Sequence, residues 1–284
     1  MSHWALGERQ EMIDHSGRWL LPLAILLAIC GAGRFAYATD AGDGVDQPAA
    51  KAALLKAYPG LFTIKGNVLT WTDGTTMVWD DGKARDAEAL LESPDIEDMF
   101  RYVYPTAAAG ALVPADDFDP GRIRNEAFFE KLYGKSAAEV GKHIANVKWL
   151  PKLAKKTVQV TRVFGINDRL GKVSDALEAM PAELSRYGLK PGGGFVWRPI
   201  AGTNRLSVHS FGAAFDINVG FSDYWYNNRN KPDPNAHIPF KNRIPLEIVE
   251  LFEKNGFIWG GRWYHYDTMH FEYRPELLLY KKPG

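Results

Sequence analysis

The chain has 284 residues, 46% of them hydrophobic, and its 34 lysines and arginines are balanced by 34 aspartates and glutamates. Such a chain can bury a sizeable core, as one elaborated domain or two small ones, and its composition is not that of a disordered segment. A net charge of zero offers no overall positive field for a phosphate backbone, which excludes nucleic acid as the default partner.

The first feature along the chain is the apolar run Leu20–Cys30, "LLPLAILLAIC", preceded by Arg18 and followed by Ala36-Tyr37-Ala38. It is too short to cross a hydrocarbon layer of about 30 Å as a helix, and small residues follow it, so it reads as an export signal over residues 1–38 cleaved after Ala38. An uncleaved N-terminal anchor and a buried helix are the alternatives; either a signal or an anchor would be the only membrane contact. Ile29 disfavours lipoprotein processing at Cys30, and Met12 is a second candidate start, because the stretch before Arg18 is long and not basic. Cys30 is the single cysteine, so a product cleaved after it has neither thiol nor disulfide, and any zinc it holds takes nitrogen and oxygen ligands.

Residues 39–117 form a small N-terminal region. In it, "LFTIKGNVLTWTDGTTMVWDDGK" alternates short β-prone runs with Gly-Asn and Asp-Gly pairs, the pattern of an antiparallel meander. Trp71 and Trp79 are expected in its core rather than on an aromatic surface. The remaining 118–284 is expected to be the domain that holds the polar motifs, which fall in 192–273. Ser136, with Glu139 three residues on, makes a capping box and predicts a helix through "SAAEVGKHIANV", with His143 an ordinary helical residue. "VQVTRV" alternates as a strand, and "INDRLGKVSDALEAMPAELSRYGL" carries helical periodicity as far as Met180-Pro181. From Gly192 glycines, aromatics and polar groups cluster; "FVWR" reads as a strand, and a helix at Leu246–Asn255 stops at Gly256. The sum is an α+β chain: a small antiparallel sheet with flanking helices and a cleft, preceded by the β-meander and a helical region.

The chemistry concentrates in "SVHSFGAAFD" (207–216) and "DTMHFE" (267–272). Two histidines and one carboxylate are a ligand set that leaves zinc a free position for water, and His209, Asp216 and His270 supply one. Asp267 is then the candidate to take and return a proton. Residues seven apart on an unbroken strand face opposite sides, so His209 and Asp216 need a bend, which Gly212 and Ala213-Ala214 allow. Asp267 and His270 likewise need a turn at Thr268-Met269. Asp216, between Phe215 and Ile217, would be a costly buried carboxylate unless a cation partnered it.

The pattern Ser207-x-His209-x-x-Gly212-x-Ala214-x-Asp216, followed by Asp267-x-x-His270-Phe271-Glu272, closely resembles the zinc D-alanyl-D-alanine carboxypeptidase and L-alanyl-D-glutamate peptidase family. That family acts on the peptide stems of bacterial cell walls and shares a superfamily with lysostaphin-type peptidases and the hedgehog signalling domain. The resemblance covers about 192–273, including "GFIWGGRW". It implies zinc on His209, Asp216 and His270, with Asp267 as acid/base where some relatives have glutamate. It also implies an arginine ahead of the first motif that holds a substrate carbonyl or carboxylate: Arg198, with Arg205 as the rival. Ser207 is expected to brace the ligand loop rather than act as a nucleophile. His265 and Glu272 are candidates to line the site or orient its ligands, and His237 reads as a loop residue. Tyr224, Trp225, Trp259 and Trp263 are either cleft walls or core. The function implied is an exported, periplasmic or envelope zinc peptidase of the D-Ala-D-Ala carboxypeptidase type acting on peptidoglycan stems. An L-Ala-D-Glu endopeptidase, or a non-catalytic wall-binding module with structural zinc, is the alternative.

Overall fold

The structure, a computed structural model, describes residues 36–38, 44–231, 233 and 236–282. The apolar run, Cys30 and Met12 lie outside the described residues. Among those described, no helix is long and apolar enough to cross a membrane.

Strand β1 (Ala36–Ala38) pairs in parallel with β5 (Leu112–Pro114). Helix α1 (Gln47–Ala57) begins where the Asp46 side chain accepts from Ala49 N–H, so the first turn has its orphan donor satisfied. The meander forms as its turn chemistry demands: β2 (Phe62–Lys65), β3 (Val68–Trp71) and β4 (Thr76–Val78) pair antiparallel in order. Trp71 and Trp79 are both buried, as expected. After α2 (Ala87–Glu92), helix α3 (Glu126–Tyr133) turns Phe128, Phe129, Leu132 and Tyr133 inward.

The Ser136 helix is real but shorter than its capping box suggests. Ser136 accepts from Glu139 N–H, yet α4 spans only Ala137–Gly141. Glu139 reaches back to Lys135 N–H rather than to Ser136 N–H, and Gly141 precedes the β-prone run that becomes β6 (Ile144–Trp149). His143 is therefore an exposed connector, not a helical residue. β6 pairs antiparallel with β7 (Lys156–Thr161). Helix α5 (Ile166–Ala179) then lays Ile166, Leu170, Val173 and Leu177 against the core in helical spacing, and its cap at Met180 falls before Pro181. A short α6 (Ala182–Ser185) follows.

The sheet that carries the chemistry has three strands in the order β8 (Ala214–Asp216), β10 (His270–Tyr273), β9 (Phe257–Trp259), all antiparallel. A one-turn α7 (Trp225–Asn228) precedes α8 (Leu246–Glu253), which presents Ile248, Val249 and Phe252 to this sheet while Glu247 and Glu250 face water. The Phe252 and Phe271 rings stack at 3.8 Å. Helix α8 ends two residues before Asn255, and Gly256 follows with φ of +91°. The last helix is α9 (Pro275–Leu279). One hydrophobic core runs from Ala50 and Leu54 on α1, through Trp79 and Phe128, to Phe215, Phe271 and Tyr280. "FVWR" is not a strand. Its backbone is occupied by the ligand turn instead: Val196 N–H donates to His209 O, Arg198 N–H to Ser210 Oγ, and Ser207 N–H to Arg198 O.

Candidate metal centre

Strand register places two of the three expected ligands side by side. On the antiparallel pair β8 and β10, His270 lies directly opposite Asp216, and Phe271 opposite Phe215; directly opposed side chains on one face are nearest neighbours. His209 arrives from a 3₁₀ turn, Val208–Phe211, which Ser207 caps by accepting His209 N–H. Gly212 then takes a left-handed conformation, φ +64°, and reverses the chain into β8. A Cβ there would stand 2.8 Å from Thr161 N, so the bend and the packing both select glycine. The turn at Thr268-Met269 closes with His270 N–H donating to Asp267 O, and brings Asp267 to the same cleft.

Ligand atoms of His209, Asp216 and His270 all lie within 4.8 Å of one another. His209 Nε2 is 3.2 Å from Asp216 Oδ1, and His270 Nδ1 is 3.1 Å from the same oxygen. The opposite nitrogen of each ring faces a fixed acceptor: His209 Nδ1 donates to Gly194 O at 2.6 Å, and His270 Nε2 to Glu272 Oε2 at 3.2 Å. Two imidazoles oriented from behind, with free nitrogens converging on one carboxylate oxygen, are the arrangement that fits a divalent cation. The donor set suits zinc, having oxygen and nitrogen and no sulfur. A second group of acids, Asp80, Asp81 and Asp95, is already served by Arg85, which pairs with Asp81 and Asp95 at 3.0 Å each.

Electrostatics follow from crowding these charges in a buried place. Burial opposes ionisation of Asp216, but His209 and His270 outweigh it and hold this carboxyl well below the usual range. Burial would lower His270, yet its hydrogen bonds to Asp216 and Glu272 push it up to about 10 in the metal-free protein. Glu272, wholly buried, would be raised by burial; Arg124, His270 and Arg274 together bring it down to about 2. Asp267 goes the other way. Burial raises it to about 6, with His270 opposing and Asp216 adding to the rise. Its Oδ1 is buried without a hydrogen-bond partner, an orphaned acceptor pointing to a group that the site is built to receive.

Behind the ligands stands a chain of buried charges. Arg274 donates to Glu272 Oε1 at 3.1 Å and pairs with Glu276; Glu276 in turn accepts from the OH of Tyr58, the residue that caps the end of α1, at 2.8 Å. Arg124 Nη1 reaches Glu272 Oε2 at 3.3 Å. The N-terminal region thus touches the ligand His270 through four side chains in series.

The cleft in front of the cluster measures about 380 Å³ and is lined by Asp267, Arg198, Arg205, Tyr224, Trp225 and His265, among others. Arg198 and Arg205 therefore both reach the cleft. Tyr224, Trp225 and Trp263 are walls, whereas Trp259 is core and donates its ring N–H to Thr268 O. His265 touches none of the three ligands by hydrogen bond; its Nδ1 is held by Asp119 at 2.7 Å, and Trp225 stands edge-on to its ring. His237 is an exposed loop residue paired with Asp116. Sequence reasoning missed Asp119, Arg122 and Arg124. They stand far upstream in "FDPGRIRNE", where the only hint is two arginines flanking Ile123 just before the Asn125 helix cap.

Gly194 permits the closest approach in this region: a Cβ on it would lie 2.1 Å from Gln159 O of β7. Gly194→Ala is expected to push the 193–196 segment off β7, cost about 1–3 kcal/mol, and weaken zinc binding by moving the carbonyl that orients His209. Thermal unfolding and competitive zinc titration read the two effects; unchanged zinc affinity would remove Gly194 O from the list of orienting groups.

Residues 201–273, about a quarter of the chain, match a family model described as D-alanyl-D-alanine carboxypeptidase. All three cluster residues and Asp267 fall within the match. Comparison with curated proteins and with solved structures found no match.

Proposed function

From a chain that carries a zinc-dependent peptidase domain of the D-alanyl-D-alanine carboxypeptidase family over 201–273, we propose an exported enzyme that hydrolyses peptidoglycan stem peptides at the terminal D-Ala-D-Ala bond. The observation that carries the reading is the unpartnered Asp267 Oδ1 beside the converging His209, Asp216 and His270. These three would hold the metal. Zinc, when bound, polarises a carbonyl and lowers the pKa of a coordinated water from about 16 to about 7.

Asp267 does the proton work in this reading. Burial lifts it toward neutrality, so its carboxylate can accept a proton at Oδ1 and, once protonated, return it to the leaving amine. Arg198 is exposed at the cleft, and its one side-chain hydrogen bond among the described residues runs to Pro199 O at 3.4 Å. Its guanidinium is free to donate to a substrate carbonyl or carboxylate. Asp119 fixes the His265 ring so that Nε2 faces away from the bond that holds Nδ1.

The peptidase domain in this proposal is 118–284, and 39–117 serves as its brace, with Tyr58 reaching into the buried charges behind the cluster. Residues 1–38 serve as the export signal, whose cleavage after Ala38 would remove β1 and its pairing with β5 from the mature enzyme, and the reading puts the enzyme in the periplasm or envelope.

Purified mature protein should contain one zinc per chain by mass spectrometry of metals, and should release single terminal alanines from muropeptides. Release of whole stems would mean instead an L-Ala-D-Glu endopeptidase; tight binding to sacculi with no product would leave a wall-binding module. His209→Ala is expected to lose both the metal and all measurable turnover. A variant that kept stoichiometric zinc would exclude His209 as a ligand.

A further inference from the structure

A net charge of zero conceals a segregation of charge along the chain. Between Glu139 and Asp168 there are five lysines and one arginine and no acid, whereas residues 73–98 hold nine acids against Lys83 and Arg85. The basic stretch is the β6–β7 hairpin with its flanks. Lys142, Lys148, Lys152, Lys155 and Lys156 are all exposed, and none of their ammonium groups has an ion-pair partner among the described residues. On the solvent side of the hairpin Lys148 stands opposite Thr157, and Asn146 opposite Gln159, so that face carries no negative charge.

The tip that joins the two strands has a fixed shape. Leu150 and Lys155 both take positive φ, +41° and +53°, a conformation that is costly for residues with a Cβ and is kept only where the surroundings enforce it. Backbone bonds enforce it here. Leu150 O accepts from Ala154 N–H at 2.8 Å and from Lys155 N–H at 2.9 Å, while Glu178 Oε1 on α5 accepts from the N–H groups of Lys152 and Leu153. Leu150 itself is fully buried and anchors the base of the turn. What this backbone presents is Leu153, 50% exposed, between Lys152 and Lys155. Of the two acids beside the tip, Glu178 is engaged by those N–H groups, which leaves Asp175.

Lysines alone fit any polyanion, and a single exposed leucine is ordinary on a surface. Together on a rigid turn they fit a surface that offers phosphate at one level and hydrocarbon just beneath it. The stems of the lysines lie along the apolar layer while their ammonium groups stay among the headgroups, and the leucine between them reaches lower.

We propose that the turn 150–156, backed by Lys148, is a docking surface for an anionic phospholipid bilayer. This contact is additional to the N-terminal segment, lies apart from the metal cleft, and does not rest on the peptidase reading.

The test uses the full chain with Cys30→Ser and with Leu153→Cys carrying an environment-sensitive dye. It is titrated with vesicles of phosphatidylcholine alone, or of phosphatidylcholine with about one-third phosphatidylglycerol. The dye reports the tip itself, so binding through the N-terminal segment does not imitate the result. Its emission should shift to the blue on the anionic vesicles and not on the neutral ones, and the shift should fade as salt is raised. Lys152→Gln together with Lys155→Gln should raise the lipid needed for half the shift about 25-fold, or roughly fivefold per lysine, with thermal unfolding unchanged. No shift on the anionic vesicles, or an equal shift on the neutral ones, refutes the docking surface. So does a shift whose dependence on both lipid and salt is untouched by the double substitution. A soluble glycerol phosphate polymer that displaces the vesicles at equal phosphate concentration, with the same dependence on the two lysines, would put an extended polyanion in place of the bilayer and overturn the proposal as well.

Discussion

Asp267→Ala is expected to keep its zinc and lose about 10²–10⁴ in kcat, the range for removal of a general acid/base. The reason is local. Asp267 is none of the three residues whose ligand atoms converge, so the metal should stay, while a buried cleft acceptor that has no partner among the described residues disappears. Asp267→Asn keeps the shape and cannot carry the proton, so it should be equally inactive. Metal analysis and steady-state rates on one preparation separate the possibilities. Wild-type turnover in either variant would remove Asp267 from the chemistry, and loss of zinc in both would make it part of the metal cluster.

The second large effect lies behind the site. Arg274 is fully buried, donates to Glu272 and Gly121 O, pairs with Glu276, and lies over the Phe129 ring. Arg274→Met keeps much of the volume but leaves two buried carboxylates short of a counter-charge, which is expected to destabilise the fold by about 3–5 kcal/mol. Urea unfolding of the zinc-free protein measures it, and a loss under about 1 kcal/mol would mean that Arg124 and Tyr58 suffice. The deficit should depend on pH in a defined direction. Glu272 sits at about 2 in the folded protein, below an unfolded value of about 4.3. Its contribution is therefore complete above the unfolded value and disappears as the pH falls through the folded one. Arg274→Met forfeits part of that contribution, so the gap to wild type should be widest near neutrality and narrow as the pH falls from about 5 through about 2.

Local chemistry was legible where the chain itself enforces it. The meander announces itself through Gly-Asn and Asp-Gly turns, α5 through its apolar spacing, and the Gly212 bend through the need to turn His209 and Asp216 toward each other. Alternation alone does not set register, and it is register that puts His270 opposite Asp216. The motif resemblance supplied the pairing that periodicity could not. Two expectations went too far for the same reason: "FVWR" as a strand, and the length though not the start of the Ser136 helix, rest on good local signals, but neighbours claim the backbone. His209, Ser210 and Ser207 occupy the hydrogen bonds of the first, and the pairing of β6 with β7 draws off the residues that would extend the second. Arg122 and Arg124 in the cleft, and Asp119 behind His265, were beyond reach because what brings them there is tertiary packing across more than half the chain.

The series Tyr58, Glu276, Arg274, Glu272, His270 also bears on how this protein can be cut. The family-matched segment ends at Tyr273, one residue short of Arg274, and omits Tyr58, Arg124 and Glu276 altogether. A fragment trimmed to those borders would retain His209, Asp216 and His270 yet leave Glu272 in an apolar interior with its guanidinium neighbours deleted. The smallest piece able to fold on its own, or to be transplanted into another protein with its affinity for zinc intact, must therefore reach back to the first helix and forward into the last.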